Sequence, residues 1–118
     1  EGTEVIVGLS QDPTFGPVLL FGLGGIFVEA INDVSIRVCP IDKRDALEMV
    51  QETKGSRLLQ GFRGRPKGDI DALIKSLLAV SDLARDLHDR KPELDINPLI
   101  VLPEGRGVKS LDALVTLG

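Results

Sequence analysis

The fold is decided by residues 3–39, TEVIVGLSQDPTFGPVLLFGLGGIFVEAINDVSIRVC. Four apolar segments within it are predicted to be strands, at 3–9, 17–21, 26–31 and 34–39. The residues between them, mainly Gly, Pro, Asn and Asp, favour tight turns. Successive strands with short connections indicate an antiparallel meander.

Helical spacing replaces this pattern after Pro40. Asp42 is predicted to cap the first helix, because Asp45 follows three residues later as in an acidic version of the capping box. Gly55 is a suitable stop. A first helix is therefore expected between Asp42 and Gly55.

A longer amphipathic helix is predicted from about Asp69 to His88, since its apolar residues recur every three or four positions. Beyond it, residues 94–102 and 108–117 are predicted to form a fifth and a sixth strand. This order indicates an α+β fold, a largely antiparallel sheet with helices packed on one face. Residues 1–118 are expected to form a single subdomain.

Composition narrows the class of protein. A chain of 118 residues, 42% hydrophobic and with a net charge of −4, can bury one core, and its charge gives no support to nucleic-acid binding. No membrane span is expected, because Glu29 and several glycines interrupt the longest apolar stretch, residues 17–30. Cys39, the single cysteine, excludes an internal disulfide and favours a reducing, cytoplasmic location. Because the sequence begins with Glu1 and not Met, we expect a piece of a longer chain.

The stretch ELDINPL, residues 93–99, has the pattern of a cation site. Residues two apart on a strand share a face, so Glu93, Asp95 and Asn97 are predicted to point away from the core. Carboxylate and amide oxygens are ligands that Mg²⁺ prefers, although a solvated polar face has the same alternation. Pro98 cannot donate to the ladder, which predicts an edge or a bend there.

Asp112 is a further oxygen donor in the sixth strand. A hairpin joining Leu102 to Val108 would bring Asp112 beside Asn97, on the same face of the sheet. By itself, an Asp in an apolar strand can also simply bond a backbone N–H at the strand end.

Four motifs occur in order along the chain: FGP (15–17), FGLGGIFVE (21–29), GFRGRP (61–66) and ELDINPL (93–99). With them, the chain resembles the C-terminal part of the ATP-grasp domain of nucleoside-diphosphate-forming acyl-CoA synthetases, such as ADP-forming acetyl-CoA synthetase. The resemblance covers essentially the whole chain. More distantly, the chain is similar to the β subunit of succinyl-CoA synthetase, through the Asn-Pro-Leu strand and the Asp that follows it.

The resemblance implies a ligase that converts an acid, CoA and ATP into acyl-CoA, ADP and phosphate, through an acyl phosphate and a phosphohistidine. It places nucleotide between two ATP-grasp subdomains, with Mg²⁺ bridging the phosphates. Asn97 and Asp112 match the family's magnesium-ligand positions, and Asp95 matches the carboxylate before the Asn. The N-terminal ATP-grasp subdomain, the CoA-binding domain and the phosphorylated His are expected in other segments or subunits. This chain therefore holds no predicted catalytic residue, and alone it is expected to be inactive.

Phosphate contacts are predicted at two further places. The glycine turn with Gly24 and Gly25 lets backbone approach a phosphate, or it simply forms a tight hairpin. Glu29 faces either the nucleotide or solvent. Arg63 lies in the Gly-x-Arg-Gly-x-Pro signature of the resemblance, which favours phosphate binding over a solvated surface charge. Arg37 is a weaker phosphate candidate.

Two other functions stay open from the sequence. Related synthetase-like regions occur fused to protein lysine acetyltransferases, where they regulate and do not ligate. The chain is also compatible with an interaction module whose glycines and prolines are purely architectural.

Overall fold

The structure, a computed structural model, describes residues 2–24, 33–61 and 64–118. The strands are β1 (Thr3–Asp12), β2 (Gly16–Leu23), β3 (Val34–Val38), β4 (Glu93–Val101), β5 (Val108–Ser110) and β6 (Ala113–Thr116). The helices are α1 (Lys43–Glu52), α2 (Ser56–Leu59) and α3 (Ile70–Asp86), and a 3₁₀ turn at His88–Arg90 follows α3. The strand predicted at 26–31 lies outside the described residues.

The strands form one antiparallel sheet in the order β3-β2-β1-β4-β5. β6 also pairs with β4, so β5 and β6 lie one after the other along the same edge of that strand. The predicted α+β class, with an antiparallel sheet and helices on one face, is confirmed.

Both longer helices begin at the expected residues. Asp42 caps α1: its carboxylate accepts from the amide of Asp45 at 2.8 Å, and the carboxylate of Asp45 accepts from the amide of Asp42 at 3.0 Å. Asp69 caps α3, and its carboxylate accepts from the amide of Ala72 at 3.1 Å. Each cap joins residues a few positions apart, which explains why the local sequence predicts the cap at Asp42 and the start of the longer helix near Asp69.

The hydrophobic core lies between the helices and one face of the sheet. Val7 and Phe21 are opposite each other on β1 and β2, and both are fully buried, as are Met49 of α1 and Leu77 of α3. Alternate residues of the strands thus meet the apolar stripes of both helices. Within the described residues, no helix is both long enough and apolar enough to cross a membrane.

The other side of the sheet is here called the open face. Across the strands, in register, it carries Ile36, Leu20, Gly8, Asp95 and Leu114. Ile36 is 53% exposed and Leu114 is 66% exposed, so the described part of the chain leaves this side uncovered. An open sheet face with apolar and acidic side chains is a natural wall for a cleft.

β4 is bent at Pro98, as predicted. Val5 pairs with Leu99 whereas Val7 pairs with Ile96, so β4 has one residue more than β1 between these pairs. This β-bulge reverses the alternation, and Leu99 regains the buried side after Ile96. The strand predicted at 108–117 differs from the structure, which divides it into β5 and β6. The division lies near Asp112, whose carbonyl accepts a hydrogen bond from the Ser110 hydroxyl at 3.5 Å, a local side-chain bond of the kind that competes with strand pairing.

Candidate functional site

Asp95 and Asn97 lie on the open face of β4. Both side chains are exposed. Their neighbours on the strand are covered, since Leu94 is buried and Ile96 is half-buried. The burial pattern therefore confirms that the two polar side chains point away from the core. A groove of about 260 Å³ opens beside Asp95, between β1, β4 and β6.

Asp112 is brought to the same face by the pairing of β4 with the last two strands. Ile96 pairs with Ala113, and the amide of Asn97 donates to the carbonyl of Asp112 at 3.1 Å. Leu99 pairs with Ser110 in the same register. Asp112 is thus directly opposite Asn97, and opposite residues of an antiparallel pair present their side chains to one face.

The donor set is suited to a hard cation. Two carboxylates and one amide share the open face, and all three side chains are exposed. The described residues contain no group of three or more His, Cys, Asp or Glu side chains placed to hold a metal by themselves. Such a set suits Mg²⁺, which commonly takes one or two carboxylates and completes its coordination with water and substrate phosphates.

Gly24 has a clear packing role at the end of β2. It is buried, its amide donates to the carbonyl of Glu4 at 2.8 Å, and an added Cβ would come within 3.0 Å of the Glu4 carbonyl carbon. The close approach of this backbone to β1 therefore favours glycine here. Contact of Gly24 with phosphate stays a prediction. Gly25 and Glu29, in the segment 25–32, lie outside the described residues.

The structure describes the loop of the GFRGRP motif except for residues 62–63. Arg63 therefore lies outside the described residues. Gly61 and Gly64 have φ of +89° and +76°, conformations that favour glycine. Arg65 donates to the carbonyl of Gly2 at 3.3 Å. The loop thus depends on its glycines and rests against the start of β1.

Arg37 has a structural partner on the covered side of the sheet. It pairs with Glu52 of α1 through two contacts, at 2.6 and 3.2 Å. The hydrogen bond from Arg37 holds the pKa of the Glu52 carboxyl below its usual value and raises the pKa of the guanidinium. This pair ties β3 to α1, away from the open face that carries the oxygen donors.

Asp69 makes contacts that sequence reasoning missed. Besides capping α3, its carboxylate accepts from the amides of Gly105 at 3.1 Å and Gly107 at 2.7 Å. Hydrogen bonds from the amides of Ala72 and Gly107 lower the pKa of the Asp69 carboxyl. Only the cap had a local signal, because the glycines are 36 and 38 residues away.

The sequence of this chain matches a known domain family and several characterised relatives. The ATP-grasp domain family matches residues 1–117. The chain is 46% identical over 116 residues to the β subunit of ADP-forming acetate–CoA ligase II from Pyrococcus furiosus, covering 98% of this chain and 49% of the relative. It is 47% identical over 117 residues to ADP-forming acetate–CoA ligase I from Archaeoglobus fulgidus, covering 99% of this chain and 17% of the relative.

A solved structure has the same fold. It is the acetyl-coenzyme A synthetase 1 of Candidatus Korarchaeum cryptofilum in complex with coenzyme A and Mg-AMPPCP, with a TM-score of 0.91 and 42% identity. The match covers 100% of this chain and 54% of that chain. The resemblance seen in the motifs is therefore confirmed. The chain spans about half the length of the subunit relative it matches.

Proposed function

Because the chain belongs to the ATP-grasp domain family, we propose that it forms the magnesium–nucleotide half of the ATP cleft in an ADP-forming acyl-CoA synthetase. The observation that carries the proposal is the meeting of Asp95, Asn97 and Asp112 on the open face. An uncovered sheet face with oxygen donors suits one wall of a nucleotide cleft. The N-terminal ATP-grasp subdomain would form the other wall.

In this proposal the amide oxygen of Asn97 and the carboxylate of Asp112 hold Mg²⁺, and Asp95 supports them. When bound, Mg²⁺ neutralises charge on the phosphate oxygens during phosphoryl transfer. Arg63 binds phosphate, the backbone at Gly24 and Gly25 approaches it, and Glu29 faces the cleft. The chain's own contribution is to bind and orient the nucleotide, since none of its residues is assigned a covalent step.

The whole protein would convert a carboxylic acid, CoA and ATP into acyl-CoA, ADP and phosphate, through an acyl phosphate and a phosphohistidine. This assignment is supported by the relatives named as ADP-forming acetate–CoA ligases. The CoA-binding domain and the phosphorylated His would come from the remaining domains or a second subunit. A cytoplasmic location belongs to the same proposal and is supported by the single cysteine, Cys39. The relatives named as ligases favour this proposal over the regulatory alternative.

The proposal is tested by replacing the two assigned ligands in the full-length protein. Asn97→Ala and Asp112→Ala should each lower ADP-forming ligase activity by about 100-fold or more, since even outer-shell residues of metal sites typically contribute 10- to 100-fold. Val115→Ala, on the other face of β6, is the control and should retain activity. Full activity in both ligand variants, with the fold intact by circular dichroism, would overturn the assignment.

A further inference from the structure

We propose that Asp69 is a positioning residue for this candidate metal site. It holds the turn that sets the register between β4, which carries Asn97, and the strands on either side of Asp112. The inference rests on the proposed function, because the consequence it predicts is a change in metal binding.

Asp69 binds the turn with one of its carboxylate oxygens and with its backbone amide. One oxygen caps α3, and the other accepts from the amides of Gly105 and Gly107. The amide of Asp69 itself donates to the carbonyl of Leu102 at 2.8 Å. The amide of Glu104 donates to the carbonyl of Lys67 at 2.8 Å. The β4–β5 turn is therefore bound directly to the segment that leads into α3.

The turn depends on this support because its backbone is unusual. Gly105 and Gly107 have φ of +86° and +83°, and the amide of Leu102 donates to the carbonyl of Gly107 at 3.0 Å to close the hairpin. A turn of fixed conformation fixes the register of the strands that it joins. Asp69 acts on the two glycines whose conformation decides this geometry.

Register decides on which face Asp112 lies. Since strand side chains alternate, a slip of one residue would move Asp112 from the open face to the covered face, away from Asn97. Burial of the β6 side chains opposes such a slip only weakly. Leu114 on the open face is 66% exposed and Val115 on the other face is 50% exposed, so exchanging their faces changes little apolar burial. Val108 of β5 packs against the core opposite Val101, so this contact and the turn together set the register.

Asp69→Ser separates the two roles of this side chain. A serine hydroxyl still caps α3, since serine is a strong N-cap residue, but it lacks the second oxygen that holds Gly105 and Gly107. The matched control is Asp42→Ser, the same substitution at the cap of α1, where the carboxylate bonds the amide of Asp45. Asp69→Asn is the second variant, because it keeps the size of the side chain and leaves one oxygen.

The assay titrates Mn²⁺ into the full-length protein saturated with ADP and follows free Mn²⁺ by electron paramagnetic resonance. Mn²⁺ prefers the same oxygen ligands as Mg²⁺. We expect Asp69→Ser and Asp69→Asn to weaken Mn²⁺ binding by about tenfold or more, the usual effect of losing an outer-shell partner. Asp42→Ser should leave it within about twofold of the unaltered protein. Amide hydrogen exchange across residues 108–116 should also become faster in the Asp69 variants only.

Each outcome has one meaning. Unchanged Mn²⁺ affinity in both Asp69 variants, with loss in Asn97→Ala, would overturn the positioning role and leave the proposed function intact. Equal losses in the Asp69 and Asp42 variants would also overturn it, because a general loss of stability then explains the effect. Unchanged affinity in Asn97→Ala and Asp112→Ala would instead overturn the proposed function.

Discussion

The carboxylate of Asp33 should be one of the most important polar groups for stability. Asp33 lies just before β3 and is only 7% exposed. One oxygen accepts from the amide of Lys54 and the other from the amide of Gly55, both at 2.7 Å. The side chain therefore joins the start of β3 to the connection between α1 and α2.

Asp33→Ala would leave two backbone amides without acceptors. A hydrogen bond to a charged group contributes about 1.5–3 kcal/mol, so two of them set an upper range of about 3–6 kcal/mol. Both donors are only partly buried, and water will replace part of this loss. We expect Asp33→Ala to reduce stability by about 3 kcal/mol.

Asp12 offers a matched control at a turn exposed to solvent. Its carboxylate also accepts from two backbone amides, those of Thr14 at 2.8 Å and Phe15 at 3.0 Å. Water can satisfy these amides when the side chain is removed, so Asp12→Ala should cost about 0.5–1 kcal/mol. The comparison isolates burial, because the number of lost hydrogen bonds is the same.

Native-state amide exchange of α1 is the appropriate measurement, because it gives the free energy of local opening in that helix. The amide of Val50 is a useful probe, since its side chain is buried in the core. If Asp33→Ala lowers the opening free energy there by no more than Asp12→Ala does, the reasoning from buried hydrogen bonds is refuted.

Two further predictions concern packing and pH. Gly55→Ala should cost about 1–3 kcal/mol in the same exchange measurement, because a Cβ would overlap the buried side chain of Leu23; protection equal to that of the unaltered protein would contradict this. The pKa of Asp69 is lowered in the folded protein by hydrogen bonds from the amides of Ala72 and Gly107, so the unfolded state binds its proton more readily. The stability it provides is complete above its ordinary pKa of 3.8 and is lost as the pH falls through the lower folded value. Urea denaturation of Asp69→Asn between neutral and acidic pH should show a shallower loss than the unaltered protein, and identical slopes would contradict the assignment.

The candidate site was predicted in large part because its pattern is local. Asp95 and Asn97 share a face through the two-residue period of a strand, and Pro98 marks the bend through its missing N–H. Asp112 reaches Asn97 through a single hairpin after β4, so this contact too joins segments that are close in sequence. What spacing alone left open was whether this polar face is simply solvated, and the motif resemblance rather than periodicity favoured the cation site.

The sequence by itself determined the elements whose causes lie within a few residues: the apolar alternation of the strands, the capping box of Asp42 and Asp45, and the stripe of α3. The tertiary structure alone decided the contacts between distant residues, such as Asp33 with Lys54 and Gly55 and Asp69 with Gly105 and Gly107. An isolated Asp has the same local preference for a cap or a turn wherever the chain later brings it. Which amides it finally meets depends on the packing of the whole sheet and its helices, and no short stretch of sequence contains that information.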